Sequence, residues 1–520
     1  MPALFHDTFP APPADFNMAA YVLGAGDPDA CALQVVGDGS APWSFADIRQ
    51  AVAGIARGLR NSGLRPGDRL MLRQGNSVIY PLTYLACIWA GILPVPTAAA
   101  LTRTEVAGLI AQVTPTAIAT SPGIAVPKTD LPLLDARTVV EMQTLPPLKP
   151  EMGDPNRPAY IVFTSGSSGT SRPVCHAHRA VWARRMMWDG WYGLRTQDRL
   201  MHAGAFNWTY TMGTGLMDPW AIGATALIPA QGIKATDLPA LLAAHKVTMF
   251  AAAPGVYRQM LRAPMPPLPH LRHGLSAGEA LPDVTRAAWQ AATGTAVHEA
   301  LGMSECSTYV SGSPARPAGP GIAGYPQPGR HLSVRAGGAP VDYDTPGELC
   351  LHKSEPGLML GYWTPNAGPS PIAATWFGTG DHVSMARDGA ITYLGRRDDM
   401  MNAGGFRVSP LEVEAALALT PGLSEVAACE VRLNEDTSVI AAFHVGGQEN
   451  DLRAAAQTHL ARYKRPRLYF PHETLPRNAN GKLNRRALRT DMDADTDAET
   501  EAATRASGVA KRSGVEDEGA

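Results

Sequence analysis

The chain has 520 residues, a formal net charge of −2 and 45% hydrophobic residues, which is too long for one compact core and implies two or more domains. A charge so close to zero gives no electrostatic case for nucleic acid or an anionic membrane surface as partner. Six scattered cysteines (Cys31, Cys87, Cys175, Cys306, Cys350 and Cys429) without a CxxC pair fit reduced cytoplasmic thiols better than a disulfide framework or a zinc site.

Read from the N-terminus, MPALFHDTFPAPP lacks a basic stretch followed by an apolar core, so no secretory leader is expected. Residues 46–62 place apolar side chains at helical spacing and are closed by Gly63 and Pro66; a strand is predicted over Arg69–Arg73. Residues 78–95 are uncharged and long enough to suggest a membrane span. Pro81, Gly91 and Pro94 interrupt them, so a buried helix feeding a buried strand is the better reading. A helix over 105–113 precedes a strand over 117–119, and 238–246 and 247–251 repeat the order. Such alternation predicts an α/β fold, with mostly parallel sheets covered by helices in a large N-terminal domain of several subdomains, 1–397.

A smaller α+β domain is expected over 398–490, with a helix at 410–419, strands at 425–431 and 439–444, and a helix at 451–462. Residues 491–520 are rich in Asp, Glu, Ala and Thr without an apolar period, the composition of a disordered acidic tail.

Chemistry concentrates at residues 160–174, YIVFTSGSSGTSRPV. An apolar strand empties into Thr164, Ser165, Gly166, Ser167, Ser168, Gly169 and Thr170, with a guanidinium following at Arg172. Hydroxyls and glycines crowd donors together and let the backbone approach phosphate oxygens. This is not a Walker A loop, because Gly166 and Gly169 are too close and no Lys-Ser/Thr follows. A Ser/Gly linker is the plain alternative. Five clusters lie downstream: SAGEAL at 276–281, LGMSE at 301–305, Thr379-Gly380-Asp381, GRRDDMMNAGGFRVSP at 395–410, and Asn480-Gly481-Lys482. Each alone is weak, since TGD is a common turn and NGK usually a hairpin.

In their order and spacing these motifs resemble the adenylate-forming superfamily of acyl- and aryl-CoA ligases, carrier-loading adenylation domains and beetle luciferases. The likeness runs from about residue 44 to 488, and SAGEALP, FNWTYTMGTGL and GRRDDM followed by VSPLEVE are similar to benzoate-CoA ligases. The resemblance implies an ATP-dependent acid–thiol ligase that makes an acyl-adenylate, releases pyrophosphate, and passes the acyl group to CoA. It implies that 164–172 grips the β- and γ-phosphates, with Arg172 as a catalytic cation, and that Glu305 binds Mg²⁺ beside Ser304. Gly278, Glu279 and Ala280, with Glu299, Ala300, Leu301, Gly302 and Met303, would sandwich adenine. Asp381 would accept from the ribose hydroxyls, Arg396 would contact ribose or phosphate, and Lys482 would bridge the carboxylate and the phosphate. Asp398 would be the hinge and Gly404 with Gly405 the CoA tunnel. Phe206, Tyr210, Gly215 and Gly302 would line the acid pocket.

The chain departs from the family's pattern at three places. Leu301 stands where an aromatic often stacks on adenine. Ser171-Arg172-Pro173 replaces the usual Pro-Lys-Gly, keeping the charge as a fork but losing a backbone donor. Asn402 with Arg407 resembles the acetyl-CoA synthetase pattern, placing Arg407 near the AMP phosphate. The expected partners are ATP, CoA and a small carboxylic acid, benzoate-like first and short or medium aliphatic second. No nucleic acid and no membrane span are expected, and a homodimer is left open. A ligase that loads a separate carrier protein, or a non-catalytic descendant, is the alternative. Metal binding by Cys175-His176-Ala177-His178 is not expected, since no second ligand cluster is evident.

Overall fold

The computed structural model describes residues 1–164, 171–397, 399–403, 406–434, 437–477 and 482–489, without the side chains of 402–403, 406–407, 433–434 and 437–438. By compactness these fall into two units: 1–379 with 383–393, and 380–382 with 394 onward.

The first unit is built on a nine-stranded sheet. Its centre is parallel, running Cys31–Val36, Thr225–Pro229, Arg199–His202, Met249–Ala252, His273–Ala277 and Val297–Met303. All four residues of Met249–Ala252 are buried, the continuous apolar run expected where helices cover both faces. The parallel centre aligns the carboxyl ends of the strands, where open α/β sheets take their ligands. Ser307–Ser311 then turns back antiparallel on Val297–Met303, with a register shift between Leu301 and Gly302.

A second parallel sheet holds Leu93–Pro96, Arg69–Arg73, Ala117–Thr120 and Leu133–Leu134. Two further sheets are antiparallel, a feature that helical alternation does not signal. One joins Leu4–His6, His331–Ala336 and Gly347–His352. The other pairs Pro158–Phe163 with Pro173–Ala177, and the latter with Gly361–Thr364.

The helix predicted over 46–62 is Phe45–Asn61, started by a capping box in which Ser44 and Asp47 satisfy each other's backbone N–H groups. The uncharged 78–95 stretch is the buried helix Ile79–Trp89 followed by the strand Leu93–Pro96. Among the described residues, no helix is long and apolar enough to cross a membrane.

The second unit is a hairpin of Leu423–Asn434 and Thr437–Gly446 with Leu468–Pro471 added in parallel. Val413 and Leu417 of the helix Pro410–Leu417 and Leu452 and Ala456 of Glu449–His459 pack with Ile440 and Ala442. A half-sequestered ion pair, Glu414 with Arg485 at 2.7 Å, ties the first helix to the chain's last described segment.

Candidate active site

Antiparallel pairing of Pro158–Phe163 with Pro173–Ala177 brings Thr164 and Arg172 together at the neck of the hairpin. Two hydrogen bonds close its neck: the Thr164 N–H donates to the Arg172 carbonyl at 3.0 Å, and the Arg172 N–H donates to Thr164 Oγ1 at 3.2 Å. Thr164 is buried there. Ser165, Gly166, Ser167, Ser168, Gly169 and Thr170 lie outside the described residues.

Glu305 reaches the same neck from the nine-stranded sheet. Its side chain is only 6% exposed, and Arg172 Nη2 lies 3.8 Å from its Oε1. The Tyr362 hydroxyl donates to that oxygen at 2.8 Å. The Arg172 guanidinium lies over the Tyr362 ring, 4.1 Å from its centroid. Burial, then the charge of Glu305, holds the Tyr362 phenol above its ordinary value. Sequence reasoning named Arg172 and Glu305 but missed Tyr362, whose only sign is the Gly361-Tyr362-Trp363 triplet.

The turn around Glu305 is held from behind. Burial lowers the His176 pKa to about 4, and the neutral ring donates from Nε2 to the Ser304 carbonyl at 2.7 Å. Thus the first histidine of Cys175-His176-Ala177-His178 orients a backbone carbonyl, while His178 Nδ1 accepts from the Met18 N–H at 3.0 Å. Ser307 has φ of 67°, left-handed for a residue with a side chain. Arg184 Nη1 donates to its hydroxyl at 2.5 Å. The other side of that guanidinium is gripped by Asp218, with Nε to Oδ1 at 2.8 Å and Nη2 to Oδ2 at 2.6 Å. The Tyr192 hydroxyl adds a third donor to Asp218 at 2.8 Å. Gly213 leaves room for the guanidinium, which a Cβ there would overlap. Behind Ser304 and Ser307 is a small cavity walled by Arg184, Tyr84, Tyr160 and Phe206.

The strand ends named from the sequence lie side by side. Ser276 pairs with Glu299 and Ala277 with Ala300, so Gly278, Glu279 and Ala280 emerge beside Leu301, Gly302 and Met303. Gly278 has φ of 99°, and Gly278, Ala280 and Gly302 are exposed. Gly302 must be a glycine, because a Cβ would overlap the Ser307 carbonyl oxygen. Glu299 points into the fold: its Oε1 accepts from the Leu281 N–H at 2.6 Å, and Arg286 pairs with Oε2. Its carboxylate therefore braces the 278–281 turn.

Of the residues expected to line an acid pocket, Phe206 is buried against Tyr80, with ring centroids 5.4 Å apart. Tyr210 packs among Trp191, His202 and Trp208 and donates its hydroxyl to the Leu275 carbonyl at 3.0 Å. Gly215 faces His202, with an added Cβ falling 2.7 Å from the His202 Cβ.

In the second unit Asp381 and Arg396 meet, with Nη1 donating to Oδ1 at 3.2 Å. Gly380, at φ of 77°, leaves space for that guanidinium; a Cβ would lie 2.6 Å from it. Lys482 directly precedes Leu483, which forms an isolated antiparallel bridge with Arg477. Asp398, Gly404 and Gly405 lie outside the described residues, as does the side chain of Arg407.

For Mg²⁺ the donor set fits: a buried carboxylate with one oxygen held by a phenol, beside a loop rich in donors. Among the described residues no group of three or more His, Cys, Asp or Glu could hold a metal. One carboxylate suits an ion that arrives with phosphates, which supply the other oxygens.

Residues 23–363 match the family model described as AMP-binding enzyme, and residues 412–482 match its C-terminal domain. This chain belongs to the AMP-binding enzymes. Within that family it is 28% identical over 499 residues to the benzoate–CoA ligase of Thauera aromatica, covering 87% of this chain and 92% of that one. It is 29% identical over 356 residues to the 3-hydroxybenzoate–CoA ligase of Aromatoleum sp. (strain CIB), covering 66% and 68%. In fold it is similar to a benzoate CoA ligase from Burkholderia xenovorans LB400, with a TM-score of 0.81 at 24% identity over 91% of this chain and 100% of that one. As an adenylate-forming enzyme it thus stands near the benzoate–CoA ligases.

Proposed function

We propose that this protein is an acid–CoA ligase acting first on aromatic, benzoate-like acids. The carrying observation is the meeting of Arg172 and Glu305 at the closed neck of the Gly/Ser loop, where an anion-binding loop ends beside a carboxylate fit for a divalent cation. In the first half-reaction an oxygen of the acid attacks the α-phosphorus of ATP, and the bond to the bridging oxygen breaks to release pyrophosphate. In the second, the CoA sulfur attacks the acyl carbon, losing its proton, and AMP leaves.

The residues divide the work by charge. Thr164 and the loop after it donate to the β- and γ-phosphates, and Arg172 adds a fork suited to phosphate oxygens. Glu305 would hold Mg²⁺, which when bound neutralises phosphate charge. Ser304 lies beside it as a phosphate contact. The 278–280 and 299–303 ledges take adenine between them, with Leu301 giving an apolar face. Asp381, acceptor-only, takes the ribose hydroxyls, with Arg396 and Arg407 near ribose and phosphate. Lys482 places a point cation where carboxylate and phosphate, both anions, must meet. Residues 398–490 act as a mobile domain turning at Asp398, which replaces Lys482 by the Gly404-Gly405 face for CoA.

The names of the relatives support an aromatic acid. Acid-dependent exchange of pyrophosphate into ATP, followed by AMP release on adding CoA across aromatic, short-chain and branched acids, tests the reading. Exchange without CoA-dependent release would assign a carrier-loading enzyme, and no exchange with any acid would overturn ligase activity.

A further inference from the structure

Tyr362 belongs to neither strand that frames the phosphate loop, yet it touches both charged groups at the loop's neck. It lies on Gly361–Thr364, in register opposite Val174, two residues beyond Arg172. Gly361 fixes it there: at φ of 147° its backbone lies flat against Ser370, and a Cβ would fall on the Ser370 carbonyl oxygen. Glu305 itself is anchored through its carbonyl, which accepts from the Met359 N–H at 2.8 Å. From that fixed base the Tyr362 hydroxyl holds Oε1 of Glu305 at 2.8 Å, while its ring face carries Arg172 at 4.1 Å. A guanidinium stacks flat on a ring, whereas an ammonium gives a more compact contact, so Arg172 suits this seat better than lysine would. At 3.8 Å from Oε1, Arg172 is also the nearest counter-ion to Glu305 among the described residues.

We propose that Tyr362 is a positioning residue that couples the two, its hydroxyl aiming the Glu305 carboxylate at a phosphate-bound divalent cation and its ring parking Arg172 as the carboxylate's counter-ion until that cation arrives. The inference rests on the reading of Glu305 as the cation ligand. It separates the two faces of one side chain. Tyr362→Phe keeps the seat for Arg172 and releases Glu305; Tyr362→Leu releases both.

The test measures the apparent constants for Mg²⁺ and for pyrophosphate in acid-dependent pyrophosphate–ATP exchange. Alongside it, titration of Mn²⁺ in the presence of ATP, followed by electron paramagnetic resonance, reads cation binding without turnover. Melting temperatures check the fold. Tyr362→Phe should weaken Mg²⁺ and Mn²⁺ by about tenfold, the scale of a lost hydrogen bond to a charged group, with the pyrophosphate constant moving less than twofold. Tyr362→Leu should weaken the cation equally and also raise the pyrophosphate constant about fivefold, as should Arg172→Ala. Arg172→Lys should recover less than half of the Arg172→Ala loss in the wild-type background and show no difference from Arg172 on Tyr362→Leu. Identical constants for Tyr362→Phe and wild type overturn the aiming role, and identical pyrophosphate constants for Tyr362→Phe and Tyr362→Leu overturn the seat. If Glu305→Gln leaves the Mg²⁺ constant unchanged, the cation assignment itself fails, a result distinct from failure at Tyr362.

Discussion

Replacing Asp218 by alanine should strand a charge deep in the first unit. Asp218 is 1% exposed and takes three donors, two from Arg184 and one from Tyr192, while Arg184 is itself 6% exposed. Without the carboxylate, the guanidinium keeps, among the described residues, the neutral oxygens of Ser307, Thr214 and Tyr192. Breaking a buried pair by removing one partner costs about 3–5 kcal/mol, and Asp218→Ala should lose that much in urea unfolding followed through Trp191 and Trp220, both fully buried. Because Arg184 also holds the left-handed Ser307 beside Glu305, adenylation should slow about tenfold. The double variant Arg184→Met/Asp218→Leu, which removes both charges at similar volume, should regain at least half of the stability while adenylation stays slow. A single variant losing less than about 1 kcal/mol, or a double variant no more stable than the single, would refute the stranded-charge reasoning.

Three further outcomes are expected. Lys482→Ala should lower adenylation by about 10²–10³-fold yet still convert supplied acyl-AMP and CoA to thioester; equal loss of both steps, measured separately, argues against its role in the first half-reaction alone. Gly302→Ala forces its new methyl onto the Ser307 backbone and should cost about 1–3 kcal/mol with a marked loss of exchange activity; wild-type rates would show that the ledge can shift. Burial lowers the pKa of His176 and His298 to about 4, and of His178, His202 and His273 to about 3. These groups stay neutral in the fold but take a proton near pH 6.5 when unfolded, so stability is full above 6.5 and declines as pH falls toward about 4 and then 3. The slope is about 1.4 kcal/mol per pH unit for each such histidine, and a flat unfolding free energy between pH 7 and 5 would contradict it.

Periodicity located the local elements well where a single face or a fully buried run decided them, as at Phe45–Asn61 and at Ile79–Trp89 with Leu93–Pro96. The hairpin sheets were harder to read, because partners such as Tyr362 and Val174 are 188 positions apart and nothing local marks the pairing. For the same reason the neck of the Gly/Ser loop was only half legible. Arg172 and Glu305 sit in motifs that announce charge near glycine, whereas Tyr362 looks like any aromatic in an apolar strand. Arg184 and Asp218 were invisible in the same way, since a buried pair gains its meaning only when the fold removes water from it. Glu299 shows the opposite case: the resemblance places it beside adenine, whereas its carboxylate is held by Leu281 and Arg286.

The register of Gly361–Thr364 also limits how this chain can vary in length. Side chains alternate across a strand, so one residue inserted between Gly361 and Tyr362 would turn the phenol to the opposite face. One inserted between Arg172 and Val174 would move the guanidinium off the ring in the same stroke. The turn that joins Thr364 to Gly368 carries no such burden, because Thr364 and Gly368 pair with each other and close it. Insertions and deletions should therefore be tolerated at 365–367 and rejected at 172–174 and 361–362, a pattern that a scan of single-residue insertions selected for ligase activity would display directly.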